Sequence, residues 1–348
     1  MSIKNSFKPL VSVIIANHNG EKFLKKCISS LLKEKSSRFE IIIVDDASSD
    51  NSVGLIKNEF GIKNKLRLIA LADNVGAATA RNIAIKTALG KYLFFLDTDT
   101  IIKAGWVPKI VKFFTKHPKT GIGQTKLLKM GTNNFDYAGD YISRMGFLAE
   151  RARGCPDDGR FSQEDVVFGV KSAAMIARKE VINALDGFDD DYFIYWEDTD
   201  ICWRCWLAGY EVRMCPEINV WHAYGTSKKD PKIYFNNKIT YRGCKNNLSS
   251  LIKNLDTLGL FYTLPANFLS WLILSIIFLF KGDFHKSLEI VRSLLWIVVH
   301  PLTLARKRAI VQNGRKISDK QLFAIVGSKI NLAYCIGKGN AYLKGKPF

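Results

Sequence analysis

Four short apolar runs in the first hundred residues constrain this chain more than any other feature. They are VSVIIA (11–16), FEIIIVDD (39–46), LRLIAL (66–71) and KYLFFLDTDT (91–100). A continuous apolar run of this length is what a strand covered on both faces requires, because its side chains alternate between two buried surfaces. Between the runs lie segments with helical patterning: residues 21–32, DASSDNSVGLIKNEF with Ser and Asp to cap it, and NVGAATARNIAIKTALG, which the spacing predicts to be closed by Gly90. Strands alternating with helices of this length make a parallel sheet, and ligands of such sheets bind outside the carboxyl ends of the strands. Three of the four runs end there in polar pairs: Asn17/Asn19, Asp45/Asp46 and Asp97/Asp99.

Two carboxylates one residue apart, such as Asp97 and Asp99, repel each other unless a cation lies between them or water solvates both. The convergence of three polar strand ends favours the cation. The chain has no G-x-G-x-x-G after its first strand and no G-x-x-x-x-G-K-[ST], so any phosphate is expected to be held chiefly through a metal ion.

At 348 residues the chain is long enough for one large α/β domain and an appendage. A formal charge of +19 implies an anionic partner, whether nucleic acid, a membrane surface or a phosphorylated substrate. Seven cysteines and a start without an apolar leader fit a reducing cytoplasm. Cys202 and Cys205 have metal-like spacing but lack a second pair, so packing is expected of them.

VSVIIANHNG, IIIVDDASSDNS, DNVGAATARNIAIKTALGKYLFFLDTDT and GFDDDYFIYWEDTDICWRCWLAGY together resemble the motifs of the family 2 glycosyltransferases, over about residues 11–225. The resemblance implies a GT-A fold, a Rossmann-like mixed but mainly parallel sheet flanked by helices, and a nucleotide-diphosphate sugar as donor. It also implies roles. Asp97 and Asp99 would hold Mn²⁺ or Mg²⁺, with His222 of VWHAYG completing the shell. Asn17, Asn19, Asp46, Asp50, Asn74, Gly76, Arg81 and Asp97 would line the donor site, Asp46 on the base. The Ala16-Asn17 pair departs from the family's usual Pro and small residue. For His222 a half-buried imidazole beside Trp221 is the alternative.

Inverting transfer needs a carboxylate that takes the acceptor's proton. WEDTD offers Glu197, Asp198 and Asp200; on a helix starting here Glu197 and Asp198 face about 100° apart, so one at most points at the reacting centre. The resemblance implies that Asp198 is the base. An acidic helix start with Arg204 paired to Asp200 explains Asp200 and Glu197 but not the aromatic approach FIYW, whose Tyr195 and Trp196 suit either a sugar face or the core.

Residues 257–280 are 24 positions without a charge, interrupted by Pro265 and Asn267, and long enough to span a bilayer. Beyond them the chain is strongly basic, and a single span would conflict with the positive-inside tendency. In-plane or re-entrant helices are therefore expected, with residues 305–316 as a basic face on anionic lipid. A truncation near Lys253 is expected to keep the catalytic part intact. The domain reading is a catalytic part over 1–230, divided into a nucleotide-sugar half (11–100) and an acceptor half (101–230), followed by a membrane-associating region over 231–348.

These observations lead to an inverting, metal-dependent glycosyltransferase at the cytoplasmic face of the membrane, adding one or a few sugars to a lipid-linked glycan in cell-surface polysaccharide, glycolipid or glycoprotein assembly. The segments WHAYG and ARKRAIVQNGRKISD resemble rhamnosyl- and galactofuranosyl-transferring members, and the Q-x-x-R-W of processive synthases is missing. An oligomer is compatible with this reading. A nucleotidyltransferase and a basic nucleic-acid-binding protein are the alternatives, the latter without a recognisable module.

Overall fold

The computed structural model describes residues 8–61, 65–223 and 237–327. It divides into two units, one comprising Met1–Gly139, Arg151–Cys205 and Tyr210–Ala223, the other Asp140–Glu150, Trp206–Gly209 and Tyr224–Phe348. The expected boundary at residue 230, like Tyr224 and Gly225 of the WHAYG segment, lies outside the described residues.

In the first unit the chain runs β1 (Val11–Asn17), α1 (Glu21–Leu32), β2 (Phe39–Asp45), α2 (Ser52–Leu55), β3 (Leu66–Ala70), α3 (Ala77–Thr87), β4 (Tyr92–Leu96), β5 (Thr100–Ile102), α4 (Trp106–Lys116), β6 (Thr120–Lys129) and β7 (Phe135–Tyr137). The short strands β8 (Asp140–Ile142) and β9 (Leu148–Glu150) belong to the second unit, after which β10 (Ala174–Arg178), α5 (Lys179–Ala184), α6 (Glu197–Leu207) as far as Cys205, and β11 (Glu211–His222) complete the first. Nine strands form one sheet in the order β3-β2-β1-β4-β10-β6-β11-β5, with β7 on β6. Strands β3, β2, β1 and β4 are parallel neighbours, as their apolar runs require; β10 enters antiparallel beside β4. This is the mixed, mainly parallel α/β architecture expected from the sequence.

Each layer follows from patterning. Helix α1 buries Leu24, Cys27, Ile28 and Leu31, the i, i+3, i+4, i+7 stripe of a helix covering a sheet. Val13 and Ile15 of β1, Ile41 and Ile43 of β2 and Phe94 of β4 form one core with Trp106 of α4, whose indole meets the rings of Phe39 at 5.1 Å and Phe94 at 5.6 Å. Cys202 and Cys205 are buried and packed, as anticipated.

Gly90 does not close α3. The helix ends at Thr87, Ala88 is extended, and Gly90 lies beyond them against β1, where its N–H donates to Ser12 Oγ at 2.8 Å. A Cβ there would sit 2.5 Å from the Ser12 backbone nitrogen, so the glycine serves close approach of two main chains.

The second unit holds the β8-β9 hairpin with α7 (Asn237–Asn254), α8 (Thr257–Phe280), α9 (Phe284–Val299), α10 (Pro301–Asn313) and α11 (Asp319–Val326). Pro265 and Asn267 do not interrupt α8: the Asn267 amide turns back to donate to the Thr263 carbonyl at 3.0 Å and to Met145 O at 2.9 Å, and the helix runs through. By length and composition α8 is apolar enough to cross a membrane. The basic stretch 305–316 is not simply an outward face, because Arg308, Gln312 and Arg315 donate to the last carbonyls of α7, from Ile252 to Leu255. They occupy the acceptors that a helix leaves open at its end. Ending the chain at Lys253 would therefore remove the caps of α7 and uncover its buried Leu248 and Leu251, so the truncation is unsuited to isolating the first unit.

Gly90→Ala should lower stability by about 1–3 kcal/mol, since the backbone of Ser12 cannot move aside without disturbing β1. Urea unfolding of the full chain checks this; an unchanged midpoint would refute the close-approach reading.

Candidate active site

The carboxyl ends of β1, β2 and β4 meet the far end of β11, and the register of the last two strands builds the centre. Strand β5 follows Asp99 immediately and pairs antiparallel with β11, setting His222 opposite Thr100 and Val220 opposite Ile102. Along β6, the partner of β11 jumps from Cys215↔Thr125 to Asn219↔Lys126, so Pro216, Glu217 and Ile218 are looped out of register. One ligand atom each from Asp97, Asp99 and His222 can be chosen so that all lie within 4.8 Å of one another. His222 Nε2 is 3.2 Å from Asp99 Oδ1, while Nδ1 is 2.8 Å from Asp136 Oδ2, a buried carboxylate on β7. A carboxylate on the outer ring nitrogen is the usual way a metal-binding imidazole is oriented. Two carboxylates and one imidazole suit Mn²⁺ or Mg²⁺, so the residues fit the expected ion. Burial alone would lower the imidazole's pKa, but the hydrogen bonds with Asp136 and Asp99 and the charge of Asp99 and Asp97 outweigh it, raising it to about 10.

The residues expected around the donor lie on the neighbouring strand ends. Asn17 Nδ2 donates to Asp45 Oδ1 at 2.6 Å, and Asp45 in turn accepts from Ser48. Asn19, in the left-handed region at φ 55°, accepts from Ser49 N and Asp50 N, tying the first strand-end loop to the second. Asp46 is buried and its two oxygens accept from Val75 N at 2.7 Å and Gly76 N at 2.9 Å, so its carboxylate holds the loop before α3. Asp50 accepts from Glu21 N and Ser52 N, fastening the starts of α1 and α2. The Asn74 amide lies 3.1 Å from the imidazole of His18, which meets the Asp46 carbonyl at 2.8 Å. Gly76 combines φ 88° with a contact that a Cβ would make at 2.5 Å with the Phe193 ring, and no other residue fits there.

Arg81 joins the two carboxylate groups. Buried on α3, it donates from Nη1 to Glu197 Oε1 at 2.8 Å and from Nη2 to Asp97 Oδ1 at 3.1 Å. Glu197 is buried, and among the described residues its Oε2 has no hydrogen-bond partner. Desolvation, reinforced by the charge of Asp198, raises its pKa to about 7 against the pull of Arg81. Asp198 is only partly buried and accepts from Thr199 N at 2.8 Å and Ser172 N at 3.3 Å. Lost hydration raises its pKa against the opposing charge of Arg81. The helical divergence expected of the pair is thus realised: Glu197 faces Arg81, and Asp198 retains access to solvent. Asp200 pairs with Arg204 at 2.8 Å. Ahead of them, Phe193, Tyr195 and Trp196 have φ of 62°, 70° and 70°, a conformation that bulky residues adopt under constraint, and Tyr195 is 40% exposed.

The residues expected in the site lie at these strand ends or in the loops after them, on α3 (Arg81) and at the start of α6. Sequence reasoning missed Asp136 and His18. Asp136 sits in a three-residue strand without periodicity and had no signal; His18, between Asn17 and Asn19, was within the quoted motif.

The sequence model described as "Glycosyl transferase family 2" matches residues 12–185, half of the chain. Among curated proteins the chain is 35% identical over 108 residues to the putative teichuronic acid biosynthesis glycosyltransferase TuaG of Bacillus subtilis, covering 31% of this chain and 43% of that one. It is 26% identical over 218 residues to the poly-beta-1,6-N-acetyl-D-glucosamine synthase of Staphylococcus epidermidis, 61% and 49% of the two chains. The chain thus spans less than half the length of these relatives. Among solved structures, S. aureus TarS 1-349 in complex with UDP-GlcNAc superposes with a TM-score of 0.56 at 16% identity, over 97% of this chain and 93% of that one. GalNAc-T7 with UDP, GalNAc and Mn2+ gives 0.57 at 18%, over 73% and 49%. These likenesses establish the fold as GT-A.

The raised imidazole predicts a pH dependence of stability in chelator. A folded pKa above the unfolded value contributes stability that is complete below 6.5 and lost as pH rises through about 10. Asp136→Asn removes one cause of the shift. The stability difference between parent and variant should be largest at pH 6.5 and shrink toward pH 10; urea titrations across that range giving a constant difference would contradict it.

Proposed function

The chain belongs to glycosyltransferase family 2 and is a glycosyltransferase, and on that premise we propose that it catalyses inverting, metal-dependent transfer of a sugar from a nucleotide-diphosphate sugar to a hydroxyl of a lipid-linked glycan at the cytoplasmic face of the membrane. The observation that supports this is the span of Arg81 from Asp97 to Glu197, which ties the end of β4, next to the Asp97-Asp99-His222 cluster, to the start of α6, where Asp198 follows Glu197. Family membership removes the nucleotidyltransferase and nucleic-acid-binding alternatives. The named biosynthetic roles of the two curated relatives support cell-surface polysaccharide as the product class.

In this reading residues 11–100 form the nucleotide-sugar half, 101–230 the acceptor half and 231–348 the membrane-associating region. Asn17, Asn19, Asp46, Asp50, Asn74 and Gly76 shape the pocket for the nucleoside, Asp46 from behind the loop it holds. Asp97, Asp99 and His222 would hold a divalent cation, which when bound would offset the charge that builds on the departing diphosphate. His222 would have to lose its Nε2 proton to serve as a ligand. Asp198, partly open to solvent and raised in pKa, accepts the proton of the acceptor hydroxyl as it attacks. Glu197 stays on Arg81 and keeps the start of α6 in register with Asp97. The Tyr195 ring, exposed in the loop before α6, offers an apolar face to an acceptor sugar.

Screening nucleotide sugars for metal-dependent release of nucleoside diphosphate identifies the donor. Asp97→Asn and Asp99→Asn should each abolish Mn²⁺-dependent donor binding while the chain still folds, Asp97→Asn at reduced stability because it takes a carboxylate from buried Arg81; calorimetry showing parental affinity in both folded variants would overturn the metal assignment. Asp198→Asn should retain donor affinity and lose about 10²-fold or more in turnover. An active Asp198→Asn beside a dead Glu197→Gln would exchange the two roles.

A further inference from the structure

Helix α8 is built inside out. Its buried face carries polar groups: Thr263, Asn267 and Ser275 are all buried. Thr263 Oγ1 donates to Arg144 O at 3.2 Å, Asn267 Nδ2 to Met145 O at 2.9 Å, and Ser275 Oγ lies 2.9 Å from Ser287 Oγ of α9. The Trp271 indole also turns inward, to Asn247 Oδ1 at 3.1 Å. The opposite face exposes Leu269, Leu272, Ile273, Ile276 and Leu279 at helical spacing, and ends at Phe280, 86% exposed. Helix α9 continues the outer face, exposing Phe284, Leu288, Val291, Leu295 and Val298, while its covered side mixes Ser287 and Ser293 with Ile290, Leu294 and Ile297, so that α9 is apolar on both sides. A helix folding against water would turn a polar face outward, which neither α8 nor the outer side of α9 does. So many large apolar side chains turned outward on two consecutive helices are what marks an interaction or membrane surface.

We propose that the outward faces of α8 and α9 anchor the protein in one leaflet of an anionic bilayer, the two helices lying in the membrane plane rather than crossing it. This deepens the membrane location proposed above and rests on it, but not on the sugar chemistry. Charge selects the occupant: the chain carries +19, and Lys281 between the helices and Arg306 after them are exposed, which suits anionic headgroups and opposes two copies meeting face to face. Crossing is disfavoured by the covered face. A spanning α8 would carry with it the β8-β9 turn bonded to its covered face, including the exposed, charged Arg144, and a charge is costly in hydrocarbon. Helix α9, at 16 residues, is about 24 Å long, short of a hydrocarbon core of about 30 Å, and it carries Lys286, Glu289 and Arg292. Lying flat, each helix sinks its apolar stripe into the acyl boundary while its cations stay among headgroups.

The test uses the full chain with vesicles of equimolar phosphatidylcholine and phosphatidylglycerol, against phosphatidylcholine alone. The chain should float with the anionic vesicles, and high salt should weaken the association without abolishing it. Ile273→Glu combined with Ile276→Glu, and separately Leu295→Glu on α9, should each cut the bound fraction about tenfold or more, with circular dichroism and donor hydrolysis in solution unchanged. In Lys281→Cys, an impermeant maleimide added outside the vesicles should label the new thiol above the background of the parent chain. Failure to float with either vesicle overturns the proposal. So does labelling only after vesicle disruption, which means a span, or glutamate variants that dissociate an oligomer while floating normally, which means a protein interface. Since donor hydrolysis is read separately, its loss in the parent chain would count against the catalytic reading alone.

Discussion

A buried guanidinium cannot exist without counter-charge, and Arg81 obtains it from two carboxylates on two different elements. Asp97 comes from the end of β4 and Glu197 from the start of α6, at 3.1 and 2.8 Å, while the ring of Phe188 lies 5.7 Å from the guanidinium carbon. Removing one partner of such a group leaves a charge stranded, at a cost of about 3–5 kcal/mol. The arrangement therefore sets α6 relative to β4 within narrow limits. From Asp97 the turn continues through Thr100, whose N–H and hydroxyl both donate to the Asp97 carbonyl, into the strand that meets His222. From Glu197 the helix places Asp198 one step round its axis. Both halves of the site thus depend on one cation supplied by α3.

The loop before α6 shows what that placement requires of the backbone. Three aromatic residues in left-handed or near left-handed conformations, Phe193, Tyr195 and Trp196, cost about 1–3 kcal/mol each and persist only where the surroundings over-determine them. Here the Phe193 carbonyl accepts from Ala78 N, and its ring presses on Gly76, so the start of α3 and the approach to α6 constrain each other. Gly76, Arg81 and Phe193 are thus parts of one joint.

Much of the parallel half was legible in the sequence because strands buried on both faces must be continuously apolar, and their polar ends announce where water begins. Asp97 and Asp99 were visible for that reason. His222 was reached only through resemblance, since antiparallel register across β5 and β11 leaves no trace in local spacing, and Asp136 was not reached at all. The divergence of Glu197 and Asp198 could be read from helical geometry, but which of them faces a cation could not, because the cation lies on a distant helix. Gly90 was misread because the same residue marks a helix stop and a close passage of two main chains. Arg308 and Arg315 were misread because a basic run looks the same whether it faces headgroups or caps the carbonyls of another helix.

The pairing of His222 opposite Thr100 also has a consequence for the order in which the protein is made. The four parallel strands and their helices assemble from segments close in sequence, but β5 remains without its β11 neighbour until the last strand of the unit has been synthesised and threaded beside β6. During synthesis, Asp97 and Asp99 emerge long before the histidine that completes their cluster. An ion that favours all three ligands over two therefore favours the closed sheet by the same free energy, and its occupancy marks the chain whose final strand has found its register.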